Sequence, residues 1–474
     1  MNATSGHGAG KPLPLLTILA FASSGVPMAA LMLSLSVYLP RYFAGQIGVT
    51  LGAVGAAFTL VRLLDIGLDP LIGLLMDRTR SPIGRYRPWM ICGAPVVMAA
   101  AYALFMAPKG ISQAYLIAWL LVLYAGASII TLASSAWAAK LASSYHERSR
   151  MFSTMSGVGV SGALLVLLLP ILTHGKSIAG IGYIQAMGWF TIIGLPIAVA
   201  LVAIRTPEPV ERETPHQHFG LDEYWKMITR PEMARIILVD LSLALGPGTT
   251  SALYLFFFHD SRLFSTQDAS LLLMWYIIAG FGAPLIGRLA MRFGKHRTLI
   301  ASTVGYALAQ ASLFVLPKAN FLVAVPGMMT CGILAGGFVL LVRAMVADVG
   351  DDVRLDSGKE RAGLLYAMVT STQKIGGAIT IGVPLMVLDR FGYNAAPGAV
   401  NTPRAIHALE MCYLFAPVVF VLLGGVFLFG YKLDADRHAE IRKALEARDA
   451  LLGQPAVIES LTGAGTLPGA VIEP

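Results

Sequence analysis

Three ionisable residues, Arg62, Asp65 and Asp69, lie within an apolar run from about residue 49 to 76. Spacings of three and four put them on one face of a helix, with the two carboxylates about one turn apart. If that helix crosses a bilayer, each acid costs about 2.5–3.5 kcal/mol at mid-membrane. A stripe of two therefore needs a compensating cation, a proton or a water-filled cavity. Close carboxylates also resist ionising together, which is the chemistry of a reversible proton or cation site. The plainer alternative is that Arg62 neutralises one acid in a buried pair while the other faces water. Lys374 is a second isolated charge, about a third of the way along a run, 362–388, that is otherwise free of charge. It reads either as a movable counter-charge to the two acids or as a side chain snorkelling to the membrane surface. Asp240 and Arg343 are further charges within apolar runs, read as partners in packing or gating rather than as solute ligands.

The elements that hold these residues follow from composition. Of 474 residues, 56% are hydrophobic and 13% charged, with mean hydropathy +0.69. A soluble chain of this size carries about 25% charged residues, so lipid is the solvent for most of this one. Runs long enough to span lie near 13–39, 49–76, 89–107, 113–139, 152–173, 181–204, 234–258, 269–292, 298–317, 321–347, 362–388 and 408–431. The expected fold is all-α and integral to the membrane, with twelve transmembrane helices. The net charge of +8 fits a nucleic-acid binder only if its distribution is ignored. With a cytoplasmic N-terminus, 25 Lys and Arg fall in inside segments, 7 in outside segments and three within spans. That bias places both termini in the cytoplasm of a cell (inner) membrane and accounts for the charge without nucleic acid. The first run is too long for a signal peptide and is expected to be retained. Cys92, Cys331 and Cys412 sit in apolar runs as small hydrophobes. GVGVSG at 157–162 has the form GxGxxG, yet no strand precedes it and no acid follows at the required distance. With no nucleophile–base or metal-ligand cluster, neither enzymatic activity nor a metal or organic cofactor is expected.

An internal echo divides the chain. Pro70, Leu71, Ile72, Gly73, Leu75 and Arg78 are matched by Pro284, Leu285, Ile286, Gly287, Leu289 and Arg292, each 214 residues later. Two six-helix halves related by a pseudo-two-fold leave such a trace, the architecture of the major facilitator fold with its binding site between the halves. The expected divisions are a first half over 1–204, a cytoplasmic linker over 205–233, a second half over 234–431 and a cytoplasmic tail over 432–474. The tail begins as a charged helix and leaves no room for a further folded domain.

The segment RLLDIGLDPLIGLLMDRTRSPIGRYRPW, Arg62 to Trp89, resembles a signature of the glycoside–pentoside–hexuronide:cation symporters, the melibiose-permease family. The segment ADVGDDVRLDSGKERAGLLYAMVTSTQK, Ala347 to Lys374, resembles that family's acidic loop after span 10 and its span 11 lysine. The resemblance covers roughly residues 10 to 435. It implies cation-coupled symport of a small organic solute, sugar-like or amphipathic, by alternating access; the family's vertebrate branch includes lysolipid transport. It also implies that Asp65 and Asp69 ligate the coupling ion and that Ser128 on span 4 supplies a hydroxyl. One position departs: sodium-using relatives carry Asn just before the second aspartate, where this chain has Leu68. Losing that oxygen favours a proton over sodium as the coupling ion.

The positions where sugar-transporting relatives carry an acid, an amide or acid, and an arginine align with Pro27, Thr131 and Met155. None can make the bidentate polar contacts that hydroxyl recognition uses, so a glycoside is not implied. Trp137 and Tyr366, with Tyr38 and Trp275, offer either an amphipathic lining for the solute or ordinary packing. Asp77, Arg78, Arg80, Arg85 and Arg87 form a loop that either sets topology or latches the halves through Asp348, Asp351 and Asp352, with Arg361 nearby. The rival to symport is an uncoupled transporter or a lipid-handling protein on the same fold.

Overall fold

The computed structural model describes residues 13–141, 145–173, 181–208, 221–358 and 361–451, and among them all regular elements are helices. Eleven are long and apolar enough to cross a membrane: Leu15–Ile47, Leu51–Met76, Arg87–Phe105, Gln113–Leu141, Arg150–Leu172, Tyr183–Arg205, Pro231–Ser261, Thr266–Phe293, Lys295–Val315, Phe321–Ser357 and Pro403–Phe427. The remaining long helix, Ala362–Arg390, spans 29 residues, and its apolar run is interrupted by Gln373 and Lys374. In chain order these are spans 1 to 12, at the places the apolar runs predict. Two shorter helices lie outside them, Leu221–Ile228 in the linker and Ala435–Leu451 in the tail.

The internal repeat is visible in the backbone. Spans 1 and 7 both finish in a widened π-turn, Phe43–Ile47 and Phe257–Ser261, separated by the same 214-residue offset as the sequence echo. Span 2 starts cleanly because the Thr50 hydroxyl accepts from the Ala53 N–H at 3.3 Å, capping an otherwise unpaired donor. Pro70 inside span 2 has no N–H for the Ile66 carbonyl, which opens one rung of the helix ladder beside Asp65 and Asp69.

The two halves meet along span 2 against span 11, span 5 against span 8, and span 1 against span 7. Span 2 approaches span 11 closely only at one end. A Cβ on Gly55 would stand 2.6 Å from the Gly382 carbonyl oxygen, and one on Gly52 would stand 2.7 Å from the Asp389 carboxylate. Further along, a Cβ on Gly67, Gly73 or Gly363 would meet nothing within 4 Å. Burial follows the same gradient. A single apolar cluster joins Phe21, Tyr38 and Phe58 of the first half to Tyr254, Phe257 and Tyr413 of the second. At the splayed end the second half keeps its own cluster, around Met233, Tyr306, Met345 and Tyr431. The bundle is therefore sealed at the end carrying residues 41–50 and 259–265 and open between its halves at the other.

Candidate functional site

Asp65 and Asp69 lie one turn apart on span 2, and Lys374 of span 11 reaches both from the other half. Its Nζ is 2.8 Å from Asp65 Oδ2 and 2.6 Å from Asp69 Oδ2. Ser128 of span 4 donates its hydroxyl to Asp65 Oδ1 at 3.0 Å. Asp65 is 1% exposed, and the inner oxygen of Asp69, Oδ1, is buried with no partner. One ammonium thus faces two carboxylates, and an acceptor is left over. A site with that imbalance has room in its charge balance for a small cation or a proton.

The repeat shows that the fold does not require these charges. At the same 214-residue offset, the second-half counterparts of Asp65 and Asp69 are Ala279 and Ala283. Two apolar residues hold the same places, so the carboxylate pair is confined to one side of the pseudo-two-fold.

Arg62 is not the counter-ion. Its guanidinium lies over the Tyr124 ring, 4.5 Å from the centroid, with Nε buried and unpartnered. Among the described residues, the ion pairs of the two acids are both with Lys374, so the reading in which Arg62 neutralises one of them does not describe this conformation. The cause is reach: Arg62 turns towards span 4, where an aromatic face holds it. Lys374 is held within the bundle rather than snorkelling. Removing it leaves two buried carboxylates uncompensated, so Lys374→Leu is expected to cost about 3–5 kcal/mol. The check is thermal unfolding in detergent: a clear fall for Lys374→Leu, partly reversed by adding Asp65→Asn.

Among the described residues, the three acids of the expected latch pair with groups other than the basic loop. Asp348 pairs with Lys295 at 2.6 Å, Asp351 with His438 at 3.0 Å, and Asp352 with Arg230, all inside the second half and its tail. In the basic loop, the Arg85 and Arg87 amides donate to the Glu208 carboxylate at 2.5 and 3.2 Å. The Arg87 guanidinium donates to the Thr206 carbonyl at 2.9 Å. Arg78 is exposed and Arg361 buried, while the Asp77 side chain lies outside the described residues. These acids find their partners away from the basic loop because the halves stand apart here.

Besides the Lys374 bridge, an ion pair joins the halves at the sealed end, where sequence reasoning placed none. Arg41 grips Asp260 bidentately, at 2.6 and 2.8 Å, and its Nη2 is 3.0 Å from His259 Nδ1. The Tyr393 hydroxyl donates to the same carboxylate. Tyr38 adds a hydroxyl–hydroxyl bond to Ser270 at 2.7 Å. Outside the spans, burial and the neighbouring Asp260 charge hold the Tyr393 phenol well above its ordinary range, so it stays protonated as the donor. The available signal was the repeat: Arg41 and Asp260 end equivalent helices.

The residues proposed to line a solute cavity are scattered. Trp137 is fully buried, its indole N–H donating to the Pro207 carbonyl at 3.2 Å and its ring edge-on to Phe21. It anchors the end of span 4 because a buried indole N–H must find an acceptor. Pro27 is buried against Gly194 of span 6, and the Met155 backbone packs on Gly25. Thr131 is exposed on span 4, and Tyr366 donates to the Arg343 carbonyl at 3.3 Å. None of the five lines the cavity of about 510 Å³, which lies in the second half between spans 7, 8, 10 and 11. Asp240 and Gln373 supply its polar side.

A family model described as MFS/sugar transport protein matches residues 20–435. The isoprimeverose transporter of Lactiplantibacillus pentosus is 24% identical, over 84% of this chain and 85% of its own. The human sodium-dependent lysophosphatidylcholine symporter 1 is 24% identical, over 81% and 77%. In fold, the crystal structure of the nucleoside transporter NupG superposes with a TM-score of 0.66 at 16% identity, covering 88% of this chain and 100% of that one. The resemblance carried by the two signature segments thus extends over most of the molecule, and the chain belongs to the MFS/sugar transport protein family, membrane transporters on the major facilitator fold.

Proposed function

We propose that the chain is a proton-coupled symporter of a small organic solute in the cell membrane, with both termini cytoplasmic and Asp65 and Asp69 as the coupling site. The observation that carries this reading is the Lys374 ammonium shared between two carboxylates of the opposite half. Protonation or a bound cation competes with Lys374 for those oxygens, so the ion and the inter-half bridge exclude each other. That competition ties occupancy of the site to the relative position of the halves, which alternating access requires.

A proton is favoured over sodium because the oxygens are few. Leu68 packs against the apolar core where a sodium-using relative would offer an amide, leaving Ser128 as the one hydroxyl on the carboxylates. A proton needs only a carboxylate. By the positive-inside bias, the sealed end faces outward and the conformation is inward-open. The solute is proposed to be amphipathic rather than a free sugar, given Pro27, Thr131 and Met155; the lysophosphatidylcholine symporter among the relatives fits that direction.

The test is uptake into proteoliposomes with an imposed pH or sodium gradient, over a panel of sugars, nucleosides and single-chain amphiphiles. Uptake driven above equilibrium by the pH gradient is expected. Uptake indifferent to both gradients would leave an uncoupled transporter on the same fold.

A further inference from the structure

The cation site leaves one polar feature of the bundle unused. Asp240 of span 7 is 5% exposed, and its Oδ1 accepts from the Gln373 amide of span 11 at 3.4 Å. Its second oxygen, Oδ2, is buried with no partner and belongs to a residue lining the cavity of about 510 Å³. Arg343 is near enough to act on Asp240 electrostatically, yet it is exposed, and among the described residues no ion pair joins the two. Apart from Tyr276, the other side chains of the lining are apolar, including Pro247, Ile277, Ala335, Phe338 and Val342, and Gly332 and Gly336 let span 10 pack closely on span 8. A volume of that size suits a small organic molecule, and a mostly apolar lining with few polar groups is the usual build of such a site.

We propose that this cavity in the second half is a solute-binding site, and that its ligand is a largely apolar molecule ending in one hydrogen-bond donor, a hydroxyl or an ammonium, which bonds the Asp240 carboxylate. The assignment rests on the reading of the chain as a solute transporter and narrows its substrate. A sugar is a poor ligand here. Once Asp240 and Gln373 are engaged, its remaining hydroxyls face apolar walls, and each buried without a partner weakens binding by about tenfold or more. The apolar body, by contrast, leaves water for a matching surface.

The position also links solute to ion. Gln373 and Lys374 are consecutive on span 11. The first reaches across to span 7 and the second to span 2. A donor arriving at Asp240 competes with the Gln373 amide, and any shift of Gln373 moves the backbone that carries Lys374. Solute binding therefore bears directly on the ammonium that guards the cation site.

The experiment is equilibrium binding to the full chain in lipid nanodiscs, corrected against empty nanodiscs, with phenylbutanol, phenylbutylamine, butylbenzene and phenyl glucoside as probes. The alcohol and the amine are expected to bind about tenfold or more tighter than the other two. Asp240→Leu is expected to erase that preference, and Asp240→Asn to weaken the amine more than the alcohol. Ala335→Phe, which fills the cavity without touching the carboxylate, is expected to weaken all probes. Phenyl glucoside binding as tightly as phenylbutanol, or a preference that survives both Asp240→Leu and Ala335→Phe, would overturn the assignment. Where an Asp240 variant does not purify folded, the wild-type ranking and Ala335→Phe decide. Binding needs no ion gradient, so an uncoupled protein with this ranking refutes symport and leaves the cavity standing.

Discussion

The Asp65→Asn, Asp69→Asn double variant is expected to let solute equilibrate across the membrane but never concentrate it. One charge moving through 100 mV supplies about 2.3 kcal/mol, enough for roughly 40-fold accumulation of a neutral solute. That work reaches the solute only if an ion must occupy the acids before the halves rock. With amides at both positions, Lys374 loses its carboxylate partners and the bridge between spans 2 and 11 weakens with or without an ion. The free-running exchange of solute should persist while the accumulation ratio falls from tens towards one. Counterflow and gradient-driven uptake in the same proteoliposomes separate the two. Full accumulation by the double variant would remove these acids from the mechanism.

Arg41→Ala is expected to unseal the closed end. Losing one partner of a buried ion pair costs about 3–5 kcal/mol, but the Arg41 and Asp260 side chains remain 18% and 17% exposed. A discounted figure of about 2 kcal/mol corresponds to roughly a 30-fold change in the ratio of closed to open forms at that end. Spin labels at Lys109→Cys and Lys318→Cys, with Cys92, Cys331 and Cys412 replaced, sit on opposite halves beside the seal. The distance between them should gain a longer population in Arg41→Ala, and Asp260→Asn should move it the same way to a smaller extent. An unchanged distribution would mean that the apolar contacts of spans 1 and 7 hold the end shut without the ion pair.

The spans were legible because hydropathy reports the need for lipid directly, and even the polar span 11 showed as a run around a single lysine. The repeat was legible because Pro70, Gly73 and Arg78 recur at one constant offset as Pro284, Gly287 and Arg292. What hydropathy does not report is which neighbour a side chain meets laterally. Lys374 and Asp65 are 309 residues apart in sequence, and only the packing of span 2 on span 11 brings them together. Arg62 stood one turn from Asp65 and was the obvious counter-ion on a helical wheel, yet it turned to Tyr124. The latch expected from Asp348, Asp351 and Asp352 assumed the halves were closed at that end, whereas these acids pair with Lys295, His438 and Arg230. Trp137 looked like a stacking surface, and its indole N–H instead tied it to Pro207. Asp240 was read as a partner in packing or gating because an isolated acid gives no hint of the empty volume beside it.

Infrared difference spectroscopy of the purified protein, between alkaline and acidic buffer, tests the central claim without knowing the solute. A protonated-carboxyl band is expected to appear on acidification in the wild type, with the part due to Asp65 and Asp69 missing from the double asparagine variant. If the wild-type and variant spectra are identical, and adding sodium or lithium leaves the carboxylate bands of both unchanged, the two acids are fixed partners of Lys374 and the coupling mechanism fails.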